Sequence, residues 1–192
     1  MLSVLLELQR LKRLDRTGWV LRGLPPGAES VAAHSYGVAL TAMLLADECA
    51  ARGVEVDVGR VVRIALLHDL QETRTGDMPR TVADYYGKEA RRAAERAAFD
   101  DIMRGTTHAP AYAELHEDYE SRASLEARLV KAADVIDLLA QALAFERAGS
   151  RGLGEFWEGA AERDFQLEGA AREVVREAVA ALVEERQVAS RQ

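Results

Sequence analysis

Val61-Val62-Arg63-Ile64-Ala65-Leu66-Leu67-His68-Asp69-Leu70-Gln71-Glu72 places two adjacent ionisable groups, His68 and Asp69, at the end of an apolar helical run. Groups set against a core need hydrogen bonds, an opposite charge or a metal ion to offset lost hydration. Two further residues of ligand type lie far away in the chain. His34 follows Glu29-Ser30-Val31-Ala32-Ala33 at the start of a predicted helix, and Asp134 interrupts the apolar stretch Leu129 to Ile136. Together the four residues point to a divalent metal held by three helices.

Outward from this stretch the chain reads as helix after helix. Asp57 caps the helix that carries Val58, Val61, Ile64 and Leu67, and Gly76 with Pro79 marks the turn beyond it. Upstream, Leu2, Leu5, Leu6, Leu8, Leu11 and Leu14 recur at three- and four-residue spacing, predicting an amphipathic core-packing helix that ends near Asp15. A Gly- and Pro-rich loop, Arg16 to Ala28, leads to a cap at Ser30 and a second helix running to about Arg52. Downstream, Lys88 to Arg104, Pro110 to Ser121, Leu125 to Ala148 and Glu168 to Val188 give four more helical patterns, with no alternating strand pattern in competition. The expected fold is an all-α, single-domain helical bundle over residues 1–192.

Composition narrows the function. A chain of 192 residues, 48% hydrophobic and without a Pro/Gly/Ser-rich linker, fits one core. No run approaches a membrane span and Glu7 interrupts the first apolar stretch, so a cytoplasmic protein is expected. A net charge of −7 argues against a nucleic-acid polymer as partner, because such binding requires many cations on phosphates. Cys49 stands alone on an apolar helix and reads as a small buried hydrophobe.

The chemistry follows from ligand type. Two imidazoles and two carboxylates make a mixed N/O set suited to one divalent ion, Mn, Fe, Co, Ni, Zn or Mg. Four protein ligands around a six-coordinate ion leave positions for water and a substrate oxygen. Glu72, four residues after His68 on the same helical face, is the natural proton-handling group; its alternative is an ion pair with Arg74. Asp137 is read as a solvated or salt-bridged neighbour of Asp134. Lys131 either orients that carboxylate, contacts phosphate or lies along the surface. His108 and His116 stand among polar residues and are expected at the surface. Arg16-Thr17-Gly18-Trp19 offers a guanidinium and a large ring in one loop, a combination that suits a nucleotide. Trp19 as a core anchor and Arg16 as a helix C-cap are the plain alternatives. Arg22 is a second cation for phosphate, and Asp77 is either a sugar contact or a cap.

At these residues the chain resembles the HD-domain metal-dependent phosphohydrolases, whose pattern is a His, a His-Asp doublet and a distant Asp. It is most similar to their 5′-deoxynucleotidase branch, through Leu11-Lys12-Arg13, Arg16-Thr17-Gly18-Trp19-Val20, Glu29-Ser30-Val31, His68-Asp69-Leu70-Gln71-Glu72 and Gly76-Asp77. The resemblance runs from about residue 5 to residue 160. It implies an HD-type helical fold, a divalent ion, hydrolysis of deoxynucleoside 5′-monophosphates and a homodimer. Carried over by position, His34, His68, Asp69 and Asp134 would bind metal, Glu72 would assist catalysis, and Arg16, Trp19 and Asp77 would contact substrate. Two departures from the branch stand out: Thr17 and Gly18 separate Arg16 from Trp19, and Gly23 follows Arg22 where an Asn is frequent. The rival expectations are an HD hydrolase of another nucleotide or phosphate ester, and a noncatalytic metal-dependent nucleotide sensor.

Overall fold

Helix-favouring residues and local caps give an all-α chain. The computed structural model describes residues 1–79 and 82–189. Its helices are α1 Leu2–Leu11, α2 Thr17–Val20, α3 Val31–Ala51, α4 Val58–Leu67, α5 Glu72–Thr75, α6 Val82–Tyr86, α7 Lys88–Met103, α8 Ala109–Ser121, α9 Leu125–Arg147, α10 Gly154–Trp157 and α11 Gly169–Ala189. Among the described residues, β-structure is limited to an isolated antiparallel bridge between Asp15 and Ser30. No described helix is long and apolar enough to cross a membrane.

The expected caps form: Ser30 Oγ accepts from Ala33 N at 3.1 Å and Asp57 Oδ1 from Arg60 N at 2.9 Å. The structure adds a third, Ser124, whose Oγ accepts from Ala127 N at 3.0 Å at the start of α9. Two expectations need correction. α1 ends at Leu11 rather than near Asp15, because Arg13 N and Leu14 N both close a turn onto Arg10 O. Nor do all its leucines pack inward: Leu2, Leu5 and Leu6 are exposed, while Val4 and Leu11 are buried and Leu8 is partly so. At about 100° per residue those two sets fall on opposite faces.

The described residues cluster into two compact units. The first comprises Met1–Tyr36 and Leu66–Ser121. Its core gathers Val4, Leu11, Val31, Leu70, Phe99, Ile102 and Met103. Val31 lies three residues before His34 and Leu70 directly follows Asp69, so this apolar cluster fixes the backbone at both histidine-bearing segments. Around it, Arg74 joins α1 and α7 to α5 through Glu7 at 3.0 Å and Asp101 at 2.9 Å.

The second unit comprises Gly37–Ala65 and Arg122–Gln192. Its centre is α9, with Leu129, Val130, Ala132, Ala133, Val135, Ile136, Leu139, Ala142 and Leu143 buried. α11 lies along α9, where Arg186 makes two 2.9 Å hydrogen bonds to Glu146 and its guanidinium sits 4.8 Å above the Trp157 ring. Cys49 is fully buried here, as expected of a small hydrophobe.

Candidate functional site

The His-Asp doublet does not continue α4. Beyond Leu67 the backbone bonds tighten to three-residue spacing, with Leu70 N on Leu67 O, Glu72 N on Asp69 O and Thr73 N on Leu70 O. His68 and Glu72 therefore do not share a face of one α-helix as their spacing predicts; they bracket a tight turn between α4 and α5. That turn directs His68 and Asp69 to the same place. His68 Nε2 lies 3.1 Å from Asp69 Oδ2, and His34 Nε2 lies 3.6 Å from the same oxygen. The two imidazoles are almost fully buried, edge to face, with ring centres 5.5 Å apart. Tyr119 from α8 backs the His68 ring at 5.3 Å.

Arg16 completes this cluster. Its Nη1 is 3.6 Å from Asp69 Oδ2 and 3.4 Å from Asp77 Oδ1, so it bridges two carboxylates. Asp77 in turn accepts from Thr17 N at 2.6 Å and caps α2, while Thr17 Oγ1 donates to Asp77 O at 2.6 Å. Gly76 at φ +76° makes the turn that brings Asp77 back to this loop, a conformation disfavoured with a side chain. Burial opposes ionisation of Asp69, yet His68, Arg16 and His34 together hold its carboxyl well below the usual carboxylate range.

Trp19 is placed as the core anchor. Its ring is 1% exposed and Nε1 donates to the buried Glu29 Oε2, while Arg16 N donates to Glu29 O at 3.0 Å. Glu29 is thus a clamp on the Arg16–Trp19 loop; Glu29-Ser30-Val31 is one of the stretches that carry the family resemblance, but nothing in the sequence assigns Glu29 this role. Arg22 Nη1 turns back to Gly18 O. Glu72 opens α5 and is buried, and Arg74 is engaged by Glu7 and Asp101. His108 is exposed, but His116 is buried, correcting its expected surface position: its ring stacks on Phe99 and Nε2 bonds Gln71 Oε1 at 3.2 Å. In the second unit, Lys131 Nζ holds Asp134 Oδ2 at 2.7 Å on α9. One helical turn further, Asp137 lies against Gly37 of α3, where a Cβ would come within 2.1 Å of Oδ1.

Two buried imidazole nitrogens aimed at one carboxylate oxygen fit a divalent ion that prefers mixed N/O donors. The HD domain family matches residues 8–164 of this sequence. The chain belongs to the HD-domain family. Among the relatives of this HD-domain chain, the 5′-deoxynucleotidase HDDC2 of Xenopus laevis is 34% identical over 145 residues, 74% of this chain and 67% of the relative. The 5′-deoxynucleotidase HDDC2 of Homo sapiens is 36% identical over 140 residues, 71% of this chain and 64% of its own. The chain therefore spans about two thirds of the length of these relatives. Among solved structures, a conserved hypothetical protein from Pyrococcus furiosus superimposes with a TM-score of 0.83 at 38% identity, covering 96% of this chain and 99% of that one.

Proposed function

We propose that this HD-domain protein is a metal-dependent phosphomonoesterase that hydrolyses deoxynucleoside 5′-monophosphates to the deoxynucleoside and phosphate. The observation that carries the reading is the convergence of His34 Nε2, His68 Nε2 and Arg16 Nη1 on Asp69 Oδ2, within 3.1 to 3.6 Å. The substrate class rests on the 5′-deoxynucleotidase relatives. His34, His68, Asp69 and Asp134 would hold one divalent ion. Such an ion supplies activation of water and stabilisation of charge developing on a phosphoryl oxygen.

The remaining work falls to this chain's own groups. A water oxygen forms the new bond to phosphorus, the bond from phosphorus to the 5′-oxygen breaks, and one proton passes from water to the departing alkoxide. Glu72, buried at the start of α5, carries that proton. Arg16, held between Asp69 and Asp77, presents a guanidinium to the phosphoryl group. Asp77 accepts from a sugar hydroxyl. Trp19 bounds the sugar's space through the loop it anchors. Lys131 keeps Asp134 oriented.

A homodimer in the cytoplasm is part of the proposal. Tyr36, Leu40 and Leu44, exposed at four-residue spacing along one face of α3, give a second copy an apolar surface, and the single buried thiol of Cys49 suits a reducing compartment. The test is phosphate release from deoxy- and ribonucleoside 5′-monophosphates by metal-stripped protein resupplied with Mn, Co, Mg, Ni or Zn. Release that favours deoxynucleotides and vanishes in His68→Ala supports the reading. Glu72→Ala should keep stoichiometric metal and lose at least about 100-fold in kcat; full activity in that variant would remove Glu72 from the mechanism.

A further inference from the structure

The turn between Asp69 and Glu72 carries both a proposed ligand and the proposed proton carrier, and its side chains are pinned from outside the metal cluster. Leu70 is held by apolar packing. Gln71, buried between them in sequence, is held by a side chain from another helix: Oε1 accepts from His116 Nε2 of α8 at 3.2 Å. His116 is 3% exposed and stacks on Phe99 of α7 with ring centres 4.1 Å apart and planes 22° from parallel. Phe99 itself sits in the apolar cluster with Leu70 and Val31. Gln71 O then accepts from Arg74 N at 3.0 Å and Thr75 N at 3.1 Å, so the residue anchored by His116 is also the one on which the backbone of α5 closes.

We infer that His116 is a positioning residue for the hydrolysis, acting through Gln71 to fix the turn from which Glu72 projects. The inference rests on Glu72 being the proton carrier. A neutral imidazole on Nε2–H supplies one donor of fixed direction, and the Phe99 stack removes the rotational freedom that would blur it. Without the strut, the turn keeps its apolar anchor at Leu70, so the fold and the ligands persist while the carboxylate of Glu72 loses its defined placement. A displacement of about 1 Å at a proton-transfer group is enough to cost one to two orders of magnitude in rate.

The experiment compares His116→Phe, which keeps a stackable ring without a donor, His116→Asn, which restores a donor, and Gln71→Met, which removes the acceptor at similar volume. Metal content, thermal midpoint, kcat and KM are measured for each, with the double variant His116→Phe/Gln71→Met. The expected result is stoichiometric metal and KM within about twofold of the parent, with kcat about tenfold lower in both single variants. The double variant should lose no more than either single, and His116→Asn should recover part of the loss. Parent-like kcat in His116→Phe or Gln71→Met, or losses that multiply in the double variant, overturns the inference. Should His116→Phe fail to fold, Gln71→Met decides from the other end of the same bond. The two readings fail separately: an inactive Glu72→Ala beside a fully active His116→Phe removes the strut alone, whereas a fully active Glu72→Ala removes the mechanism on which it depends.

Discussion

His116 is neutral in the folded chain. Burial pushes its pKa down to about 4, against the weaker pull of Asp100 and Glu117. In the unfolded chain the group returns to about 6.5. Between those values the unfolded state binds a proton that the folded state does not, so the contribution is full above pH 6.5 and lost as pH falls toward 4. The loss amounts to about 3 kcal/mol. Urea titrations at pH 7, 5.5 and 4 should therefore show His116→Phe losing less stability on acidification than the parent; parallel profiles would refute the assignment. The burial was not legible in sequence, because Glu114, Glu117 and Asp118 flank His116 and disguise the apolar face that Leu115 and Tyr119 form with it. Asp69 and His68 were legible because their position after a run of six apolar residues broken only by Arg63 demands an explanation by charge pairing or metal.

At the scale of elements, the contact of Gly37 with Asp137 reverses an ordinary preference. In an open helix, Gly→Ala gains about 1 kcal/mol. At Gly37 the added methyl meets Asp137 Oδ1 at 2.1 Å and Cγ at 2.8 Å. Gly37→Ala should accordingly lower stability by about 1–3 kcal/mol as the carboxylate is forced aside. Asp137→Ala placed on that background should restore much of it. Denaturant midpoints of the two singles and the double settle the matter: additive changes would show that the two residues do not meet. Long helices were readable because periodicity accumulates over several turns, and α3, α7, α8, α9 and α11 fall within a few residues of their expected bounds. The single-turn helices α2, α5, α6 and α10 left no comparable trace. The same limit explains the misplaced Glu72, since a switch from four- to three-residue bonding after Leu67 leaves the composition unchanged while rotating every later side chain.

For the molecule as a whole, a metal bound only by the folded state adds stability by mass action. At a free ion concentration 100 times its Kd the gain is about 2.7 kcal/mol. Thermal melts of chelator-treated protein should rise on addition of the activating ion, while His68→Ala should show no such rise; equal responses would place the ion elsewhere. The sequence made the all-α class plain through its helical periodicity and abundant Ala, Glu and Arg, whereas the division into two units has no linker or composition change to announce it. The two tryptophans are distributed across that division. Trp19 is buried in the first unit and Trp157 in the second. Their surroundings differ as well, an indole donating to a carboxylate in one case and lying beneath a guanidinium in the other. Each unit thus carries one tryptophan in its own distinct polar environment. Trp157→Phe gives up no hydrogen bond and leaves Trp19 as the one tryptophan, so with excitation at the red edge, where tyrosine does not absorb, the unfolding of the first unit can be followed in light with no label attached.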